Sequence, residues 1–304
     1  ESKNPLKETF KELVGLTPFG LLGSDNFKKE LSINIIFTVL ISLASYYLYV
    51  LTGDFLQWTA FGIGVYVICN WIHGLKNRDP VAFLLIFKSK ALLLGLLSFP
   101  FITFVTYALG AFGPSFYIRN FSMTATEVGI IYGLITVFGS MIGVICGGIL
   151  GDKLRETYVN GKLYLIMASA VLTGITAIGF IHSENLVASF TWKFVYHIAS
   201  TAWLGCAAST VTELVLPRLR AVASAFFILM LSMIGLALGP YLTGMVSDIY
   251  INSGLLPGPA LKNAMTLTLV VLVLPFGLLA VACKYLKNDE AEIYEKARSL
   301  GEEI

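Results

Sequence analysis

Long apolar blocks dominate this chain, and seven of its eight blocks contain no Asp, Glu, Lys or Arg at all. A helix crosses the roughly 30 Å hydrocarbon core of a bilayer with about 20 such residues. The blocks run over 31–51, 55–75, 91–112, 128–150, 163–181, 187–211, 221–246 and 264–283. They predict eight membrane helices, so the expected fold class is an all-α polytopic membrane protein. With 13% charged residues, the chain has about half the usual share of a soluble domain, about 25%. A net charge of +2 gives no argument for nucleic acid. Cys69, Cys146, Cys206 and Cys283 all fall inside apolar blocks without CxxC spacing, so neither a disulfide framework nor a zinc site is supported, and no cofactor is expected.

Lys and Arg set the orientation. The segments 1–30, 76–90, 151–162, 212–220 and 284–304 hold 18 of the 21 basic residues; only Arg119, Lys193 and Lys262 fall outside. These segments alternate with the other loops if there are eight spans, which predicts cytoplasmic termini and a multi-pass protein of a bacterial inner or plasma membrane. The chain opens on Glu1 rather than Met, and no signal peptide precedes the first span, so a further N-terminal portion is expected. Within 1–30, "NPLKETFKELVGL" reads as an amphipathic helix on the membrane surface, with Leu6, Phe10, Leu13 and Val14 on one face. The tail at 284–304 reads as a charged, solvated helix or frayed end without chemistry.

The stretch "GGILGDKLRE" at 147–156 puts Asp152, Lys153, Arg155 and Glu156 into one expected tight turn. Gly139, Gly143, Gly147 and Gly151 lead into it at a spacing of four, a small-residue stripe that lets a second backbone approach. A charged turn of this kind is often no more than a positive-inside loop. The stretch also resembles the cytoplasmic loop signature of the major facilitator superfamily, G-x-x-x-D-R/K-x-G-R/K-R/K. Gly148, Asp152 and Lys153 match, whereas Arg155 replaces the second glycine, and Glu156 and Thr157 replace the final bases. "TYALGAFGPSFYIRNFSMTATEVG" at 106–129 and "PRLRAVASAFFILMLSMIGLALGPYLTGMVSD" at 217–248 resemble the spinster-like transporters of that superfamily.

The resemblance implies that 91–283 form helices seven to twelve, the C-terminal six-helix transporter domain. Residues 31–75 would be an extra membrane helix pair, and 76–90 a cytoplasmic linker. An N-terminal six-helix domain, absent from this chain, would be its partner, giving fourteen helices in the full protein. Such transporters hold substrate between two six-helix halves that rock for alternating access. The resemblance further implies a latch at Gly148, Asp152, Lys153 and Arg155 that reaches the absent half.

Polar residues within the spans are the remaining candidates, because ionisable groups there are costly. Lys193, His197 and Thr201 share one helical face, beside Tyr196 and Ser200. A cationic lining for an anionic head group, or a part in proton movement, is one reading. A lysine that snorkels to the interface, with a hydrogen-bonded core histidine, is the other. Tyr132 and Thr136 on the fourth span and Tyr107 on the third could line the same substrate path, or hydrogen-bond between helices. Glu213 with Arg220 and Arg218 reads as a cytoplasmic gate or as an ion pair of small value. Gly235, Gly239 and Pro240 resemble an antiporter G-x-x-x-G-P signature and predict a helix kink; close packing around a tolerated proline is the alternative.

The expected function is the C-terminal part of a secondary active transporter, a symporter or antiporter. It would move a small or amphipathic, lysolipid-like anionic solute, with membrane lipids as its other partners. A structural or oligomeric membrane module is the alternative. An enzyme is not expected, since the chain has no HExxH or GxSxG and only three scattered histidines.

Overall fold

A computed structural model describes residues 27–299, and these are helical almost throughout. The surface helix expected at 4–16 and the last residues of the tail lie outside the described residues. The chain divides into two compact units, one ending at Leu84 and the other starting at Leu85.

The first unit is a helical hairpin of α1 (Phe27–Thr52) and α2 (Phe55–Arg78). Gly53 turns the chain at φ 81°, a left-handed angle that side chains disfavour. Thr52 fastens the turn by accepting from the Trp58 indole at 2.6 Å. The seam between the helices is polar. The Tyr66 hydroxyl donates to Asn34, and Glu30 holds His73 at 2.6 Å and Asn77 at 3.0 Å. Interhelical hydrogen bonds of this kind hold helices together where lipid removes the hydrophobic drive. Ile35, Ile36, Val39, Leu40 and Leu43 are exposed on α1, as a lipid-facing surface requires. An apolar groove of about 480 Å³, lined by Ser42, Ser45, Tyr49, Thr59 and Tyr66 among others, lies along the hairpin.

A short α3 (Pro80–Lys88) leads to the second unit. There follow α4 (Lys90–Phe121), α5 (Ala125–Thr157), α6 (Gly161–His182), α7 (Leu186–Thr201) and α8 (Trp203–Glu213). The chain continues through α9 (Arg220–Met230), α10 (Ala237–Asn252), α11 (Pro257–Thr268) and α12 (Val273–Ser299). Buried Phe99, Phe116, Tyr117, Phe180 and Tyr196 fill the centre of the bundle. Thr124 and Glu127 start α5 with a reciprocal capping box.

The glycine stripe is where the bundle is tightest. A Cβ on Gly139 would lie 2.8 Å from the His197 Cβ, on Gly143 2.4 Å from the Ile198 carbonyl oxygen, and on Gly147 2.0 Å from that of Ala202. Thus α5 lies backbone to backbone against α7 and α8, the approach that the spacing of four permits.

Three expectations need correction. Among the described residues seven helices, not eight, are long and apolar enough to cross a membrane. The block expected at 187–211 is divided into α7 and α8 by the single residue Ala202, and neither piece is long enough by itself. Ala202 nevertheless keeps right-handed helical angles and its hydrogen bond to Ile198, so the chain stays helical from Leu186 to Glu213. Secondly, residues 151–157 are not a tight turn. Helix α5 continues to Thr157, and the chain turns at 158–160. Close contacts of Gly151 with Cys206 and of Gly161 with Leu154 keep this end packed rather than looped. Thirdly, the tail is not merely solvated. Asp289 accepts from the Ser89 hydroxyl and the Ala91 amide, both at 2.8 Å, and so caps the start of α4.

Candidate functional site

Helices α5, α6 and α7 build a polar centre inside the second unit. Lys193 is wholly buried, and its amine has no hydrogen-bond partner. It is not extended to an interface; it faces three rings. Its Nζ lies 4.3 Å from the centroid of Phe180, 4.4 Å from Tyr196 and 4.9 Å from Tyr132. Each desolvated cation–π contact stabilises an ammonium by about 2 kcal/mol. Removing the ion from water costs several kcal/mol. These opposing effects are comparable, so the cage offsets much of the cost of burying the charge.

Tyr132 reaches this cage because Gly113 on α4 leaves room: a Cβ there would lie 2.3 Å from the Tyr132 hydroxyl. That hydroxyl donates weakly to the carbonyls of Gly110 and Leu109, at 3.3 and 3.4 Å. His197 is nearly buried, and its Nε2 shares a 3.0 Å hydrogen bond with the Thr136 hydroxyl. The Tyr132 and His197 rings meet edge to face at 6.0 Å. Thr201 donates to the His197 carbonyl at 2.7 Å and to the Ser140 carbonyl at 3.2 Å, which binds α7 to α5. Tyr132, Thr136, Lys193, His197 and Thr201 therefore lie along one contact between α5 and α7. Tyr107 is 44% exposed on α4 and is not among the rings around Lys193. Phe180 supplies the shortest ring contact and was not foreseen, since an aromatic within an apolar block gives no sequence signal.

A second cluster lies at the end of the bundle where α5 stops. Lys162, at the start of α6, pairs with Glu213 and lies 3.7 Å from Asp152. Glu213 is thus not paired with Arg220 or Arg218, its neighbours in sequence. Arg220 in fact donates to the Thr212 carbonyl at 3.3 Å. Lys162 wins because it stands at the junction of α5, α6 and α8, which sequence distance conceals. Arg155 turns to Glu290 of α12 at 2.5 Å and to the Val159 carbonyl. Asp152 and Lys153 are exposed, and the bare side of Gly148 meets open space.

In the third group, Gly235 and Gly239 press on α4. A Cβ on Gly239 would lie 2.4 Å from the Phe104 carbonyl oxygen, and one on Gly235 2.6 Å from Thr103. Residues Leu231–Leu236 form a wide π-turn, in which the Ala237 amide reaches back to the Ser232 carbonyl. Such turns are a common source of helix kinks, as is a proline such as Pro240 that removes a backbone donor. Among the described residues no three His, Cys, Asp or Glu side chains gather as metal ligands.

No family model matches the chain. It is 30% identical over 201 residues to an MFS-type efflux pump of Mycolicibacterium smegmatis, covering 65% of this chain and 45% of that protein. It is 26% identical over 173 residues to protein spinster of Drosophila melanogaster, covering 53% and 28%. The chain thus spans less than half the length of these relatives. A crystal structure of a bacterial homolog to the human lysosomal transporter Spinster, inward-facing and unoccupied, superposes with a TM-score of 0.55. That match has 20% identity and covers 95% of this chain and 65% of the other. The chain is therefore similar in sequence to spinster proteins and to an MFS-type efflux pump, and it shares the all-α, polytopic membrane fold of that crystal structure.

Proposed function

We propose that this chain is the C-terminal part of a secondary active transporter that moves an amphipathic, lysolipid-like anionic solute by alternating access. The observation that carries the reading is the homology itself: relatives that include an efflux pump match over less than half of their length. An N-terminal six-helix domain would be the other wall of the path. On this reading residues 91–283 are the C-terminal domain, 31–75 the extra helix pair, and both termini of the chain are cytoplasmic.

In this scheme Tyr107, Tyr132, Thr136, Lys193, His197 and Thr201 belong to the substrate path. The cage closes Lys193 off inside the bundle, so on this reading the path reaches it only when the rings part. Gly148, Asp152 and Lys153 are the part of the latch that faces the absent half. Their exposure and the open space at Gly148 support this. Arg155, Lys162, Glu213 and Glu290 brace the latch from behind, with Arg220 holding the α8 end. Gly235, Gly239 and Pro240 form the bending element.

The test is uptake of a fluorescent lysophosphatidylglycerol, whose head group carries a net negative charge, and of organic anions in parallel, by the full-length protein in proteoliposomes with and without a pH gradient. Uptake above protein-free vesicles is expected. The Asp152→Asn variant is expected to shift the balance of inward- and outward-accessible states, read by cysteine accessibility. Absence of any uptake removes the transporter reading, and an unaltered balance removes the latch.

A further inference from the structure

A wholly buried lysine normally meets a carboxylate. Lys193 does not: among the described residues its amine has no hydrogen-bond acceptor, and three ring centroids lie 4.3–4.9 Å from it. The sequence provides no Asp or Glu within 91–112, 128–150, 163–181 or 187–211, the spans packed around it. The titratable groups facing it are few. Tyr132 comes from α5, and Tyr196 and His197 come from α7 itself. Tyr117 of α4 stands one ring further, 6.2 Å from Tyr132, and α6 brings only Phe180. His197 already shares its Nε2 with Thr136. Lys193 has no hydrogen bond to lose, and the cage offsets only part of the cost of its charge, so the free amine is within reach.

We propose that the Lys193 amine is the proton-coupling site, carrying the proton in one access state and lacking it in the other. In the charged state the three rings hold the ammonium. When the bundle admits water, one N–H bond breaks, the electron pair stays on nitrogen, and the proton leaves to a water molecule. Reprotonation from the opposite side closes the cycle. No other reactant is needed. A solute with an anionic head group pairs with the ammonium and so favours the protonated amine, which links loading to proton uptake and unloading to proton release. This inference rests on the transporter reading above.

Two measurements on the full-length protein test it. The first is NMR of nitrogen-labelled lysine in nanodiscs, where the resonance lost in Lys193→Met identifies the site. That resonance is expected to pass from ammonium to free amine between about pH 5 and about pH 9. A resonance that stays in either form throughout overturns the proposal. The second compares gradient-driven accumulation of a fluorescent lysophosphatidylglycerol with its exchange between equal concentrations. Arginine keeps the charge but does not release its proton. Lys193→Arg is therefore expected to lose accumulation by about tenfold or more, a larger loss than it suffers in exchange. If Lys193→Arg accumulates the probe as the wild type does, Lys193 is a structural cation and the proposal falls. Wild-type protein that performs neither mode defeats the transporter reading instead, which is a distinct result from an unchanging resonance.

Discussion

Two carboxylates of adjacent number, Asp289 and Glu290, have very different energetic weight. Asp289 accepts one hydroxyl and one backbone amide at the start of α4, both at 2.8 Å. Hydrogen bonds to a charged acceptor contribute about 1.5–3 kcal/mol each. Glu290 pairs with Arg155, where both side chains remain partly in contact with solvent, at 22% and 30% exposure. Such pairs contribute about 0–1 kcal/mol. Asp289→Ala is therefore expected to lower the melting temperature in detergent clearly, and Arg155→Gln to change it little. Equal shifts would contradict this ranking. Neither partnership could be read from the sequence. Ser89 and Asp289 are 200 positions apart, and Arg155 had several carboxylates to choose from. Lys162 carries no sequence signal for the same reason: a basic residue near a helix end finds its partner only once the helix ends are assembled.

At the scale of elements the sequence was far more informative. Gly139, Gly143, Gly147 and Gly151 repeat at the helical period, and the period alone announces which side of α5 another backbone must approach. The contact with α7 and α8 follows that side. The interruption of the sixth span at Ala202 carried no such local mark, because the residue keeps helical angles. The two neighbouring glycines 147 and 148 separate packing from partner contact. Gly147→Val would drive a side chain into the Ala202 carbonyl, and it is expected to reduce the yield of monodisperse protein severely. Gly148→Val meets open space and is expected to leave folding unchanged while altering transport. Size-exclusion profiles of both variants, with uptake for the second, check the pair.

For the whole molecule, the relevant division lies at Leu84 and Leu85. The aromatic core, the caged lysine, the glycine stripe and the cap at Asp289 all belong to the second unit. The hairpin closes its own seam through Glu30, Asn34, Tyr66 and His73. Residues 85–304 are therefore expected to fold without the preceding segment, with protease resistance and helicity close to those of the same residues in the longer chain. Loss of the cooperative melting transition would show that the hairpin is needed. The eight hydrophobic blocks made the polytopic class legible, since bilayer thickness fixes helix length whatever the side-chain detail. The composition of the Lys193 cage was only half legible: Tyr132, Lys193 and Tyr196 stood out as polar groups among apolar ones, while Gly113 and Phe180 became meaningful only in three dimensions.

The wide turn at Leu231–Leu236 has a consequence for register. A π-turn holds one residue more than an α-turn, so the chain there stores a spare position. Removing one residue inside this turn would return it to ordinary helix and keep Thr243 facing Thr268, its partner at 2.8 Å. Removing one residue a few positions later, inside α10, would swing everything beyond it by about 100° and part the two threonines. Natural length variation in this helix should therefore collect at 231–236, where the molecule tolerates a lost residue without rotating the surface that follows.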